Sequence, residues 1–169
     1  MIGYWRMFAG YNGWANARLY AAVLALPGDA FHAETGAFFG TLCGTLNHLL
    51  VTDRIWMKRL TGRGEAPNRL DAVLHEDLPS LSQARAREDR LLSDWIAGLS
   101  EETLKGFIRY RRVSSAEDIE QPIEAALAHL FNHQTHHRGQ AHALVSRFGG
   151  NAAAPSLDLL AFQRAASHA

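Results

Sequence analysis

The sequence predicts an all-α protein built as a four-helix bundle. Four stretches, each of about twenty residues, repeat apolar side chains at the 3.6-residue period of a helix. Glycine and proline residues mark the boundaries between these stretches, and no run of alternating apolar and polar residues makes a convincing sheet. The 169 residues are enough to bury a sizeable core, so we expect a single domain over 1–169.

The four long helices are bounded by residues that favour helix ends. Pro27-Gly28 ends the first, and Gly149 follows the last turn of the fourth. Ser80 is a favourable N-cap for the third, and Pro122 suits the first turn of the fourth. The predicted ranges are 4–26, 38–60, 80–99 and 122–148, with a short C-terminal helix after Pro155-Ser156.

The lengths of the connections bear on the order of the helices. The first connection is short, whereas the second and third are each close to twenty residues. Long connections allow crossovers between helices that point the same way, so a bundle with at least one crossover is favoured. Within the third connection, residues 107–113 alternate weakly and fit a short strand or an extended loop.

Charge and cysteine content restrict the partners and the compartment. Seventeen basic and seventeen acidic residues cancel, which argues against binding to nucleic acid or to an anionic membrane surface. The single cysteine, Cys43, excludes an intrachain disulfide and fits a reducing compartment. No signal-peptide pattern is recognised, and the apolar run at 19–26 is far shorter than the about 20 residues of a membrane span. We therefore expect a cytoplasmic protein with no membrane partner.

Two groups of charged residues are interpreted as structural. Asp53 lies inside the leucine stripe of the second helix, which predicts a buried acid paired with Arg18 or Arg138. The arginines and glutamates of 85–90 are typical of a solvated helix face.

The densest cluster of chemically active side chains is the stretch 129–140. It contains four of the nine histidines, and His133 and His137 are four residues apart. Positions i and i+4 share one helix face, so both imidazoles can reach one metal ion. A helical wheel puts this pair at the edge of the buried arc and puts His129 and His136 further out. Taken alone, the pair is also compatible with histidines that bind no metal.

A third ligand is predicted on the second helix. His48 shares a polar strip with Thr45 and Thr52, which suits either the wall of a polar cleft or an exposed face. If the second and fourth helices are neighbours, His48 can converge with His133 and His137. Three imidazoles favour Zn²⁺, Ni²⁺, Co²⁺ or Fe²⁺ over Mg²⁺ or Ca²⁺ and leave coordination positions open. The remaining candidates lie in linkers or the tail and are weaker: His32, His75 and His168.

Four segments of the chain resemble the DinB/YfiT-like family of metalloenzymes, many of which have no assigned reaction. The most specific is the stretch from His129 to Gln140, which reads HLFNHQTHHRGQ. The others are 11–16, 39–56 and 156–160. The resemblance implies an up-down-down-up four-helix bundle and a divalent metal bound by His48, His133 and His137. It also implies thiol-dependent transferase or isomerase chemistry, since some members use bacillithiol or mycothiol.

Three functional hypotheses follow. In the first, a zinc or nickel enzyme binds a low-molecular-weight thiol and a small-molecule substrate, and four further residues orient the substrate or support the ligating imidazoles. These four are Thr45, Thr52, His129 and His136. In the second, the same metal activates water in a hydrolase, although no carboxylate is clearly placed as a general base. In the third, a non-catalytic stress-response bundle holds a structural metal. A homodimer is compatible with all three.

Overall fold

A computed structural model of the chain describes residues 2–113, 115 and 117–166, and it is mainly α-helical, as predicted. Four helices are long, and two more are short. The helices of the described residues are α1 (Ile2–Leu24), α2 (Leu42–Thr61), α3 (Leu78–Ala97), α4 (Glu101–Leu104), α5 (Ile123–Gly149) and α6 (Leu159–Ala166). Within the described part of the chain, no helix combines the length and apolar character needed to cross a membrane.

Each of the four long helices packs against two others. Both α1 and α2 contact α3 and α5. His48 on α2 contacts His133 on α5, and Trp56 contacts His129, so these two helices run antiparallel. The contacts bury two apolar clusters, one around Trp56 and Ile96 and the other around residues 42–50 of α2. The antiparallel pair α2–α5 carries the predicted metal ligands.

The start of α3 differs from the prediction. Asp77, not Ser80, is the N-cap, and its side chain accepts a hydrogen bond from the Ser80 backbone N–H at 2.8 Å. The helix therefore begins at Leu78, with Pro79 in its first turn. Proline is well tolerated there because first-turn N–H groups have no intrahelical acceptor. Asp77 and Ser80 can both cap a helix N-terminus with a side-chain oxygen. The burial of Leu78 is consistent with the earlier start.

A small antiparallel sheet corrects the expectation that the chain contains no convincing sheet. Strand β1 (Phe107–Arg111) pairs with β2 (Asp118–Pro122), and Tyr110 lies opposite Ile119. The second strand is mostly polar, so it lacks the apolar alternation that identifies a strand in sequence. Two of its five cross-strand pairs are ionic instead, Arg109 with Glu120 and Arg111 with Asp118, the latter at 2.9 Å. The hairpin packs near α2 and α5.

A buried ionic cluster links the long helices and corrects two further predictions. Asp53 pairs with Arg85 of α3 at 2.7 Å rather than with Arg18 or Arg138. Arg85 is 2% exposed and also contacts Asp89 at 2.9 Å, so residues 85–90 are not simply a solvated face. A helical pattern reports that a position is buried but not which neighbouring helix supplies its partner. Burial raises the pKa of Asp53 to about 6 against the opposing effect of the Arg85 guanidinium, so the carboxylate is ionised at neutral pH.

Candidate metal centre

Three histidines from two helices converge at the α2–α5 contact. His48 comes from α2, and His133 and His137 lie one turn apart on α5. One ligand atom from each histidine lies within 4.8 Å of those of the other two. The Nε2 atoms of His48 and His133 are 3.2 Å apart. The helix spacing of α5 and the antiparallel contact with α2 together produce this group.

The orientation of His48 is set by its surroundings. Its Nδ1–H donates to the backbone carbonyl of Leu70 at 2.8 Å. In a neutral imidazole, a protonated Nδ1 leaves Nε2 with a free lone pair, and that atom faces His133. The ring of Phe39 stacks on the His48 ring, with centroids 3.9 Å apart. His48 is therefore held both in position and in one tautomer.

His137 is oriented in a similar way from within its own helix. Its Nδ1–H donates to Oε1 of Gln140 at 2.8 Å. The Gln140 amide in turn donates to Nε2 of His136 at 3.2 Å, which orients the amide so that its oxygen faces His137. Such partners fix the tautomer and increase the basicity of a ligating imidazole. His136 is thus connected to the histidine group through Gln140.

Burial keeps these imidazoles neutral. It lowers the pKa of His48 to about 4 and, helped by the neighbouring histidines, that of His133 to about 3. The pKa of His137 is also lowered, mainly by burial. All three side chains therefore present unprotonated nitrogens at neutral pH, which is the form that binds a metal.

The donor set fits a transition-metal ion. Two imidazole nitrogens bound to one tetrahedral zinc ion lie about 3.3 Å apart, given zinc–nitrogen bonds of about 2.0–2.1 Å. The distance between His48 and His133 is 3.2 Å. Imidazole ligands suit Zn²⁺, Ni²⁺, Cu²⁺ or Fe²⁺, and a site with three protein ligands keeps a position open.

A cavity of about 480 Å³ adjoins the histidine group. One wall is formed by the face of α2 that carries His48, Thr52 and Trp56, and another by His129 and His133 of α5. The hairpin closes a third side with Tyr110, Ile119 and Gln121. The volume is in the range of pockets that bind small molecules.

Comparison with known proteins identifies the family. A profile of the DinB family matches residues 3–168. The chain belongs to the DinB family. It is similar to Protein DinB of Bacillus subtilis (strain 168), with 27% identity over 155 residues that cover 86% of each sequence. No solved structure gives a significant match.

Membership of the DinB family confirms the resemblance seen in the sequence motifs. It is also compatible with metal binding, as is the three-histidine group.

Of the other predicted site residues of this DinB-family chain, some line the cavity beside the histidine group and others do not. Thr52 and His129 line the cavity, and the Thr52 hydroxyl donates to the His48 carbonyl at 2.9 Å. Thr45 is buried, and its hydroxyl donates to the Thr41 carbonyl at 2.9 Å, so it takes part in the start of α2 rather than in the cavity wall. His32 and His75 lie outside the group, and His168 lies outside the described residues.

Several residues around the site were not predicted as site residues, among them Gln140, Arg59, Phe39 and Leu70. Gln140 could have been found, because it lies three positions after His137 on the same helix face. Arg59 could also have been found. It lies eleven positions after His48, which is close to three full helical turns, so both residues lie on the same face of the helix. Leu70 lies in a loop, where no periodicity shows which atoms face the site. Phe39 was predicted in the second helix, but α2 begins at Leu42 and Phe39 lies in the loop before it. Only the packed chain brings them there.

Proposed function

We propose that this DinB-family protein is a metal-dependent enzyme in which His48, His133 and His137 hold one Zn²⁺ or Ni²⁺ ion. The proposal is carried by one observation, the convergence of three neutral imidazoles next to a cavity that can admit a small molecule. Two of the three have their outer N–H groups anchored, at Leu70 and at Gln140. A rigid three-nitrogen group beside a cavity suits a catalytic metal better than a closed structural site.

The proposed reaction class is transfer or isomerisation that depends on a low-molecular-weight thiol. When bound, the metal would supply Lewis acidity that keeps a thiol ionised at neutral pH. The chain would hold the metal through its three imidazoles. Thr52, Trp56 and Tyr110 of the cavity wall would shield the reacting groups from water. His129, at the cavity wall, is the titratable residue best placed to accept or return a proton.

The cavity lining favours thiol chemistry over hydrolysis. Among the described residues, no aspartate or glutamate lines the cavity, so a hydrolase would lack the carboxylate base that many metal-dependent hydrolases use. A thiol needs no such base once it is ionised. The hydrolase alternative is tested with a panel of esters, amides and phosphate esters.

Metal content tests the ligand assignment. Elemental analysis of the purified protein should give about one transition-metal ion per chain, and His137→Ala should lose it. His32→Ala is the matched control, because His32 is an exposed histidine outside the group, and it should keep the metal. An unchanged metal content in His137→Ala would remove the basis of the proposal.

Activity tests the reaction class. The metal-loaded protein should accelerate the reaction of a small thiol with 1-chloro-2,4-dinitrobenzene, in which a carbon–sulfur bond forms and chloride leaves. Chelation should abolish the acceleration and leave the helices intact by circular dichroism. If chelation instead unfolds the chain and no reaction is lost, the metal is structural and the third sequence hypothesis holds.

The order of the long helices, the cellular location and the number of subunits are part of the same proposal. The up-down-down-up order of the four long helices is supported by two antiparallel contacts, that of α2 with α5 and that of α1 with α3. In the second contact, Arg6 donates to the Ala97 carbonyl and Asn16 donates to Asp89. A cytoplasmic location and a homodimer are also proposed, and the exposed Leu91 of α3 is one candidate for a dimer contact. Light scattering on the eluted protein measures the subunit number.

A further inference from the structure

One face of α2 connects the histidine group to a cation three turns away. His48, Thr52, Ile55, Trp56 and Arg59 all line the same cavity. Their spacing of four, three, one and three residues keeps them on one side of the helix. His48 and Arg59 thus form two ends of one cavity wall, with an axial rise between them of about 16 Å.

Arg59 is held in place by aromatic rings and not by an acid. Its guanidinium carbon lies 4.0 Å from the centre of the Tyr110 ring and 4.6 Å from that of Trp56. The side chain is half-buried, and among the described residues no carboxylate forms an ion pair with it. Contacts with rings leave the donor N–H groups of a guanidinium free for an anion.

A second cationic side chain lies in the same cavity wall as Arg59. Arg112 also lines the cavity, although its charge is shared with Glu117 at 3.3 Å. Burial, and after it the charge of Arg59, lowers the pKa of His129. No acidic side chain of the described residues lines the cavity. A half-buried cation without a counter-ion is well suited to bind an anionic ligand.

We propose that Arg59 is the anion-binding residue of this cavity and that it takes the carboxylate of a small molecule whose other end reaches the three histidines. The cavity wall between Arg59 and the histidine group is largely apolar, with Ile55, Leu70 and Ile119. A hydrocarbon spacer between the carboxylate and the reactive group of the ligand fits this wall. A single guanidinium matches one planar carboxylate through two parallel hydrogen bonds. The ligand class is therefore an aliphatic carboxylic acid with a reactive group several bonds away.

Only part of this inference depends on the proposed enzyme. The assignment of the carboxylate to a substrate rests on the proposed metal-dependent function, whereas anion binding at Arg59 does not. The two are therefore tested separately.

The first experiment measures anion binding alone. The full chain, with and without chelator, is titrated with octanoate and with octanamide, followed by calorimetry and tryptophan fluorescence. We expect octanoate to bind about tenfold to a hundredfold more tightly than octanamide, because a charge-assisted hydrogen bond replaces a neutral contact. Arg59→Met, which keeps an unbranched side chain against the rings, should abolish this preference.

Two variants serve as controls. Lys58→Met removes one positive charge from the neighbouring exposed position, which does not line this cavity, and should keep the preference. Arg59→Lys should restore part of it, since the charge returns without the paired donors. Thermal unfolding of each variant identifies any loss of fold. Equal octanoate affinity in the wild type and a folded Arg59→Met would overturn the proposal, and so would stronger binding of octylphosphonate than of octanoate.

The second experiment links the anion to the metal. The zinc-loaded protein is titrated with 6-mercaptohexanoate and with 6-mercaptohexan-1-ol, which differ in the carboxylate. Tighter binding of the acid in the wild type but not in Arg59→Met supports a substrate that spans both ends. If neither thiol binds although octanoate does, the thiol chemistry fails and the anion site stands. If both thiols bind equally, Arg59 does not contact a thiol substrate and the spanning ligand is rejected.

Discussion

At the scale of single residues, the histidine group depends on atoms outside the three imidazoles. The Leu70 carbonyl and the Gln140 amide each accept the outer N–H of one imidazole. These hydrogen bonds select the tautomer in which the inner nitrogen keeps its lone pair. Metal affinity should therefore respond to residues that never touch the ion.

Gln140→Leu tests this dependence. Loss of the hydrogen bond to His137 should weaken zinc affinity by about 10- to 100-fold while all three histidines remain. Competition with a chromophoric chelator measures the change. Gln83→Leu, at an exposed position on α3, should leave the affinity unaltered. Equal affinities in the two variants would show that Gln140 does not support His137.

Acid should destabilise the metal-free protein through the same histidines. Burial lowers the pKa of His48 to about 4 and of His133 to about 3, below the usual value of about 6.5. As the pH falls from about 6.5 towards 4, the unfolded chain therefore binds protons that the folded chain does not, and the free energy of unfolding falls.

Asp53 opposes this trend, because its raised pKa favours proton uptake by the folded chain. Its effect on the free energy of unfolding is that of one carboxyl group, whereas His48, His133 and His137 all have lowered pKa values. Urea unfolding of chelated protein at several pH values measures the net slope. His133→Asn should flatten it. A slope that is unchanged in that variant would mean that His133 is not held neutral by burial.

At the scale of helices, the buried ionic cluster connects α2 to α3. Arg85 lies between Asp53 and Asp89, and Gln134 of α5 donates a hydrogen bond to Asp53. The cluster joins the helix that carries His48 to the helix that carries His133. It therefore has a structural role in keeping the two ends of the histidine group in register.

Arg85→Met should lower the free energy of unfolding by about 3–5 kcal/mol, because it leaves buried carboxylates unpaired. Adding Asp53→Leu should recover part of the loss, since one of the unpaired charges is removed. Chemical denaturation of the two variants gives the comparison. Arg87→Met, at an exposed position on the same helix, should change the stability by less than about 0.5 kcal/mol.

A close approach between α2 and the loop before it positions Phe39. A Cβ atom at Gly44 would lie 2.2 Å from the Phe39 carbonyl oxygen, which is too short for any real contact. The Phe39 ring stacks on His48, so a displaced loop would also disturb a proposed metal ligand. The glycine is required by the space available and not by its backbone angles.

Gly44→Ala should therefore lower both the melting temperature and the zinc affinity. Gly139→Ala is a matched control on α5, because a Cβ there meets no atom within 4 Å. Alanine is the better helix former by about 1 kcal/mol, so the control should be neutral or stabilising. Thermal melts with and without zinc separate the two effects, and a stable, zinc-binding Gly44→Ala would contradict the packing argument.

At the scale of the whole molecule, the core does not depend on the histidine group. The two apolar clusters are formed mainly by buried residues of the long helices, joined by Leu104 of α4 and Ile108 of β1, and none of their residues is a proposed ligand. The fold should therefore persist when the metal is removed. Bound metal should still add stability, because it binds the folded chain and not the unfolded one.

Zinc titration tests this expectation. At a free zinc concentration one hundred times the dissociation constant, the free energy of unfolding should rise by about 2.7 kcal/mol. Circular dichroism of the chelated chain should retain its helical signal. A chelated chain that loses its helices would instead make the metal part of the core.

Much of the fold and part of the candidate site follow from local patterns in the sequence. Helical periodicity locates the four long helices to within a few residues, because each buries one face. The i, i+4 spacing of His133 and His137 places them on one face of α5 without further information. The hairpin is less visible, since β2 is held by ionic pairs such as Arg111 with Asp118 rather than by apolar alternation.

The contacts between distant segments required the folded chain. His48 is 85 positions from His133, and only the antiparallel packing of α2 on α5 brings their nitrogens to 3.2 Å. The partner of Asp53, the carbonyl that anchors His48 and the Tyr110 ring beside Arg59 were likewise beyond the reach of periodicity. A period describes which face of a helix is buried, whereas the neighbour that meets this face is chosen by the packing of all four helices together.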